Sequence, residues 1–266
     1  VRFCVLSTGS KANATYVESG DSAVLIDNGL SAKKLEGRLH LAGLNSSKIK
    51  AILVTHEHGD HITGVASLSR KLKIPIYANR LTRRCLKDGY AFDVFNNGEK
   101  FNIGALEIKP FSIIHDAADP VGFVCGAEGL KFGSVTDLGR VTDTVREALR
   151  GVNSLLLESN HDQEMLASCS YTWELKQRIS SSHGHLSNDA SAALLQELIH
   201  GDLNHVILGH ISENSNTPEL ALSTANRYLE YIKYSPTILC GSVYTPTPVF
   251  EVGVEGVSAP RFAIAV

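Results

Sequence analysis

The sequence predicts an α/β protein, a four-layer αβ/βα sandwich in which two β-sheets are faced by helices on both outer sides. Three observations carry this reading. First, the short apolar runs "AVLID", "AILVTH", "FSIIH", "FGSVTD", "SLLLE" and "HVILGH" end at Asp27, His56, His115, Asp137, Glu158 and His210. Runs of that length bounded by turns read as strands buried on both faces. Their polar ends gather along one sheet edge, where layered α/β proteins place their sites. Second, helical patterns lie between the runs. "SAKKLEGRLHLAGL" (31–44) opens on a Ser cap, and "HITGVASLSRKL" (61–72) follows directly on a polar cluster. "VTDTVREALRG" (141–151) closes on Gly151, and "SNDASAALLQELIHG" (187–201) runs from Ser187 to Gly201. "TPELALSTANRYLEYIK" (217–233) has Thr217 as cap and Pro218 in the first helical position. Third, "ATYVES" and "SAVLID" face each other across Gly20-Asp21 as a hairpin. Strands precede helices in each half, and the midpoint is expected near "CGAEGLKFG" (125–133).

The 266 residues are enough to bury a substantial core, and nothing resembling a linker divides them, so a single domain over 1–266 is expected. Hydrophobic content of 43% and charged content of 20% are ordinary for a globular protein. No apolar run approaches the ~20 residues that span a bilayer. "VRFCVLSTGS" lacks the features of a secretory signal. A cytoplasmic location without membrane attachment follows as the expectation. The five cysteines are widely spaced with no Cys-x-x-Cys, which suits free thiols in a reducing compartment. A net charge of −3 leaves no global basic surface, so a nucleic-acid partner has to meet a local patch. Oligomeric state has no signature here.

The chemistry concentrates in "THEHGDH" (55–61). His56 and His58 stand at i and i+2, so a strand end points both imidazoles the same way. Asp60 and His61 fall where the next helix begins and face a second point nearby. One segment thereby seeds two metal positions. A metal takes three or four protein ligands, and an open position if it is catalytic. His115 is the natural third nitrogen beside His56 and His58, Asp137 is placed to bridge both positions, and His210 completes the second with Asp60 and His61. Singly, each of these strand-end residues is more often a capping or hydrogen-bonded core group; together with the motif they read as ligands. Asp27 is expected to orient a metal-bound imidazole or tie down its loop, and reads nearly as readily as a plain turn aspartate. His40, His200 and His205 read as surface or helix-end residues.

This pattern resembles the metallo-β-lactamase-fold hydrolases over nearly the whole chain. "LLLESNHDQEML", "GHLSNDASAALL" and "VILGHISENSNTPEL" look most like the YycJ (WalJ) branch, related to tRNase Z and RNase J. The resemblance implies the metallo-β-lactamase fold, two divalent ions (zinc or manganese) and phosphodiester chemistry by attack of a metal-bridging hydroxide on phosphorus. It also implies exonuclease action on DNA. Two divalent ions outweigh the charges of Asp60, Asp137 and a bridging hydroxide, so the centre stays positive toward an anion. Asp60 counts as a catalytic residue as well as a ligand. His185 resembles the histidine that serves as general acid in tRNase Z-like enzymes, and Glu158 its acidic orienter. His183 is a weaker candidate, and His161 and Asp162 carry no assignment.

Substrate contacts are expected from the "STGSKAN" loop, through Ser10, Lys11 and Asn13, and from "ENSN", through Asn214 and Asn216. Arg80, Arg83, Arg84 and Lys87 form a basic helix face that could meet a nucleic-acid backbone, although such a run is more often a solvated face. The alternative function is an acyl or thioester hydrolase of the glyoxalase II type, whose C-terminal thiol-recognition region this chain does not resemble. A non-catalytic scaffold is disfavoured because every ligand slot is filled. A di-iron oxygen-reducing variant is disfavoured by His58, which stands where that branch has a carboxylate. Zinc and manganese both suit such ligands.

Overall fold

The computed structural model of the chain describes residues 1–86, 91–254 and 262–264. The first sheet is laid down by β1 (Arg2–Ser7), β2 (Ala14–Ser19), β3 (Ser22–Ile26), β4 (Ile49–Leu53), β5 (Ile76–Asn79) and β6 (Phe92–Phe95). The second follows with β7 (Phe101–Ile103), β8 (Leu106–Ser112), β9 (Val121–Ala127), β10 (Leu130–Val135), β11 (Ser154–Glu158), β12 (His205–Gly209) and β13 (Thr237–Cys240). The chain then returns to pair β14 (Phe250–Glu251) with β1, and adds β15 (Phe262–Ile264) beside β13.

Both sheets change character in the same way. Antiparallel hairpins join β1 to β2 and β2 to β3, after which β3 through β6 run parallel. In the second sheet β7 through β10 are antiparallel and β10 through β13 parallel. Hairpins need only a tight turn, such as the left-handed pair Glu128 and Gly129 between β9 and β10. Parallel neighbours require a crossover, and the helices supply it.

Those helices form the outer layers. α1 (Ala32–Leu41), α2 (Gly59–Ile62), α3 (Val65–Leu72) and α4 (Arg80–Cys85) belong to the first half. Leu35, Leu39, Val65 and Leu68 bury the outer face of the first sheet. α5 (Asp143–Leu149), α6 (Gln163–Ser168), α7 (Trp173–Ser180), α8 (Asn188–Leu198) and α9 (Pro218–Leu229) belong to the second. Val145, Leu194, Leu195, Leu222 and Ala225 cover its outer face. Between the sheets Phe3, Val17 and Val24 meet Phe123, Phe132 and Leu156, with Phe3 and Phe132 stacked at 4.3 Å. This is the four-layer sandwich the apolar runs predicted. The caps hold as read: Ser31, Ser187 and Thr217 accept from the amides of Lys34, Ala190 and Leu220.

Three expectations need correction. The sheets divide between β6 and β7, whereas "CGAEGLKFG" is the β9–β10 hairpin inside the second sheet. The 61–72 segment is broken into α2 and α3, because its junction is wedged against the loop after β3. There a Cβ on Gly64 would lie 1.9 Å from the Leu30 carbonyl oxygen. Helices α6 and α7 were not foreseen. His205, expected at the surface, is buried on β12 against the Phe250 ring, at 4.8 Å.

The close approach at Gly64 fixes where the metal-ligand motif sits. Gly64→Ala is expected to destabilise the fold by about 1–3 kcal/mol, as overpacking does, and to lower the bound-metal content. Calorimetry and elemental analysis check this; a parent-like melting temperature with full metal content would contradict it.

Candidate metal centre

The site lies across the strand ends of both sheets. From the first come His56, His58, Asp60 and His61, which follow β4 and enter α2. From the second come His115 after β8, Asp137 after β10 and His210 directly after β12. Asp27, Asp137 and His210 each follow a strand in left-handed backbone, with φ of 57°, 58° and 53°. Non-glycine residues seldom adopt this conformation, and it recurs at functional sites because it re-aims a side chain sharply.

The side chains converge in two groups whose potential ligand atoms lie within 4.8 Å of one another: His56, His58 and His115, and Asp60, His61, Asp137 and His210. In the first group the rings stand 4.6 to 5.2 Å apart. In the second, His61 Nε2 is 3.1 Å from Asp137 Oδ2 and 3.4 Å from Asp60 Oδ2. His210 Nε2 is 3.4 Å from Asp137 Oδ1 and 3.5 Å from Asp60 Oδ2. Asp137 faces both groups, since its Oδ1 is also 3.7 Å from His115 Nε2.

Four imidazoles are oriented through Nδ1. His61 donates to Asp27 at 2.8 Å and His115 to the Gly184 carbonyl at 3.0 Å. His56 Nδ1 lies 3.0 Å from Thr55 Oγ1, and His210 Nδ1 lies 3.3 Å from Glu158 Oε1. Asp27 is itself fixed by the Thr55 amide and hydroxyl, both at 2.8 Å. Fixing Nδ1 leaves Nε2 directed inward, where it could meet an ion. His56 Nε2, His210 Nε2 and Asp137 Oδ2 are buried without a hydrogen-bond partner. Such atoms are costly to leave unsatisfied, and a divalent cation is the partner this donor set fits.

Glu158 plays another part. Although it lies near Asp137, His185 and His210, its carboxylate already accepts from the amides of Asp137, Leu138 and Leu186 at 3.2, 2.8 and 3.0 Å. It also accepts from His185 Nδ1 at 2.8 Å. Its oxygens are committed to holding the site's frame. Burial opposes its charge, but His185 and His210 bring its pKa down to about 2.

Charges in the metal-free centre are mutually trapped. Burial disfavours ionisation of Asp137, yet His210, His61 and His56 hold it well below the usual carboxylate range. Burial likewise opposes charge on His210, but Asp137, Asp60 and Glu158 push it up to about 10. His61 is raised against burial by Asp137 and Asp27. His56 goes the other way, lowered by burial and by the neighbouring imidazoles.

The cavity beside these groups, about 250 Å³, is lined by Ser10, Tyr171, Arg178 and His185 as well as His58, Asp60, His115, Asp137 and His210. Ser10 is exposed and lines this cavity. Lys11 is engaged with Glu213 at 2.6 Å and Tyr244 Oη at 2.7 Å, and Asn214 donates to Tyr171 Oη at 2.8 Å. Asn13 departs from expectation: it is buried beneath the ligands, its Nδ2 3.1 Å from Asp60 Oδ2 and 3.0 Å from His61 Nε2. Asn216 is also buried, tying Ser159, Asn160 and Asn188 together. Arg80, Arg83 and Arg84 sit on α4 and do not line the cavity; Arg83 packs 3.8 Å over Phe92. Lys87 lies outside the described residues. His183 is exposed, and buried His161 lies on the chain paired with Ser187. Arg178, held to Asp116 at 2.6 Å, and Tyr171 escaped the sequence reading. The Thr172 cap of α7 was the available signal.

Two outcomes follow. Metal must displace protons from His61 and His210 at neutral pH, because both are held in the charged form below their raised pKa values. Affinity for Mn²⁺ or Zn²⁺ should therefore rise with pH; a flat profile between pH 6 and 9 would contradict this. Asp27→Ala should weaken metal binding roughly 10- to 100-fold, measured by competition with a chelating dye, and parent-like affinity would count against the orienting contact.

Comparison with known proteins gives the family and the fold. The family described as the Beta-lactamase superfamily domain matches residues 22–211. The chain is 36% identical over 236 residues to the Bacillus anthracis protein named Exodeoxyribonuclease YycJ, covering 86% of this chain and 89% of that one. Exodeoxyribonuclease WalJ of Streptococcus pneumoniae is 35% identical over 231 residues, covering 84% and 86%. In fold, the Bacillus subtilis metallo-beta-lactamase fold protein YhfI matches with a TM-score of 0.70 at 16% identity, over 94% of this chain and 99% of that one. Human short-form tRNase Z matches with a TM-score of 0.61 at 18% identity, over 80% and 93%. The chain belongs to the beta-lactamase superfamily and is one of its metal-dependent hydrolases.

Proposed function

We propose that the protein is a DNA exonuclease working with two divalent ions, zinc or manganese, one in each ligand group. The observation that carries this is Asp137, a single carboxylate facing both groups, with Oδ2 3.1 Å from His61 Nε2 and Oδ1 3.7 Å from His115 Nε2. The names of the two relatives, similar over most of both chains, supply the substrate class. Ions held in such adjoining positions activate water and neutralise charge on a phosphoryl group undergoing in-line displacement.

The chain's own residues divide the remaining work. His56, His58 and His115 would hold one ion, and Asp60, His61 and His210 the other, with Asp137 facing both groups. Asp60, whose side chain is 20% exposed, is the carboxylate of the two groups more open to the cavity; against burial, His210 and His61 hold it charged, so it would accept a hydrogen bond from the attacking water and orient it. His185 is engaged with Glu158 through Nδ1, which leaves Nε2 to protonate the departing alkoxide. Ser10 contacts the substrate at the mouth, with Lys11 and Asn214 alongside; Asn13 steadies Asp60 and His61 from beneath. No helix among the described residues is long and apolar enough to cross a membrane.

End-labelled single- and double-stranded DNA and RNA, incubated across a Mn²⁺ and Zn²⁺ series, test the proposal. Stepwise release of nucleotides from DNA is expected; cleavage of RNA alone, or hydrolysis of a glutathione thioester instead, would refute it. His185→Ala should slow DNA hydrolysis roughly 100- to 10,000-fold. The loss should be much smaller on bis-p-nitrophenyl phosphate, whose leaving group needs no proton, and metal content should stay at the parent level. Equal losses on both substrates would remove the general-acid role.

A further inference from the structure

A second cleft, of about 490 Å³, adjoins the metal cavity and shares Ser10 and Tyr171 with it. Its volume falls within the range of about 300–1,000 Å³ typical of small-ligand sites. The loop between α6 and α7 brings Tyr171 to it, and three further loops frame it: the turn after β1, the segment after β12 and the segment after β13. Their tips are tied together by the contacts of Lys11 with Glu213 and Tyr244 Oη, and Tyr244 also donates to Glu213. The cleft carries aromatic side chains in Tyr171 and Tyr244, the latter 61% exposed. Apolar surface comes from Ile211 and Val243. Tyr171 is steadied by Asn214, whose Nδ2 donates to its hydroxyl at 2.8 Å.

The charge of this cleft separates it from the metal cavity. Lys11 is neutralised by Glu213 at 2.6 Å, which leaves Glu219 as the excess charge, so the cleft offers no free cation to a phosphate. It suits instead a flat, uncharged group with hydrogen-bonding edges, joined to a phosphate lying next door. We infer that this cleft seats the nucleoside attached to the scissile phosphate, its base stacking on Tyr171 or Tyr244. The inference rests on the phosphodiesterase reading above and adds to it a site for the base. Aromatic stacking tolerates every base, since each offers a π-face. The cleft thus recognises a nucleoside without selecting its sequence.

The test compares two esters with the same leaving group under Mn²⁺: thymidine 5′-(p-nitrophenyl phosphate), which carries a nucleoside, and bis-p-nitrophenyl phosphate, which does not. The parent should favour the nucleoside ester in kcat/KM. Tyr244→Ala and Tyr171→Ala should each reduce that ratio, roughly five-fold or more for the ring on which the base stacks. Tyr244→Phe and Tyr171→Phe, which keep the ring, should restore it. Equal kcat/KM of the parent on both esters would overturn the nucleoside site while leaving the phosphodiesterase reading intact. A ratio unmoved in both alanine variants would do the same. Failure of the parent to hydrolyse either ester would overturn both.

Discussion

The arrangement of the second half of the site depends on one buried carboxylate. Glu158 ends β11 with no exposure, and its oxygens gather the amides of Asp137, Leu138 and Leu186 together with His185. Those groups come from the end of β10 and from the segment leading into α8. Removing the carboxylate would strand buried donors, each costing about 1–3 kcal/mol. It would also free the left-handed turn that aims Asp137. A charge this deeply buried is tolerable only because it is fully hydrogen-bonded and faces imidazoles.

The first half uses the same device with different residues. Asp27, left-handed at the end of β3, collects Thr55 and His61 as Glu158 collects the β10 end and His185. Each sheet therefore contributes a buried acid that orients an imidazole through Nδ1. The inward nitrogens and Asp137 then meet where the two sheets' strand ends face each other. Packing between the sheets, through Phe3, Phe132 and their neighbours, sets the separation of the two halves. The fold's part in the chemistry is to hold mutually repelling or mutually trapped groups at distances they would not keep in water.

Much of this was legible in the sequence because it follows from short-range rules. The strand-end polar residues announce themselves where apolar runs stop, and the spacing of His56, His58, Asp60 and His61 carries its own geometry. Helices α1, α8 and α9 bear Ser or Thr caps and buried stripes. Other features were hidden for physical reasons. α7 buries no residue completely, so it lacks the apolar stripe that marks a helix, yet it brings Arg178 to the cavity wall. Asn13 and Asn216 look like loop polarity in sequence; their burial depends on contacts across the fold, with Asp60 and His61 in one case and Asn188 in the other. The boundary between the sheets was misplaced because a hairpin inside one sheet and a connection between two look alike in composition.

The central claim is that two adjoining ligand groups share Asp137. Anomalous diffraction from crystals grown with Mn²⁺ or Zn²⁺ tests it most directly. Two neighbouring peaks are expected, one against His56, His58 and His115 and one against Asp60, His61 and His210, with Asp137 reaching both. A single peak, or peaks away from these side chains, would contradict it.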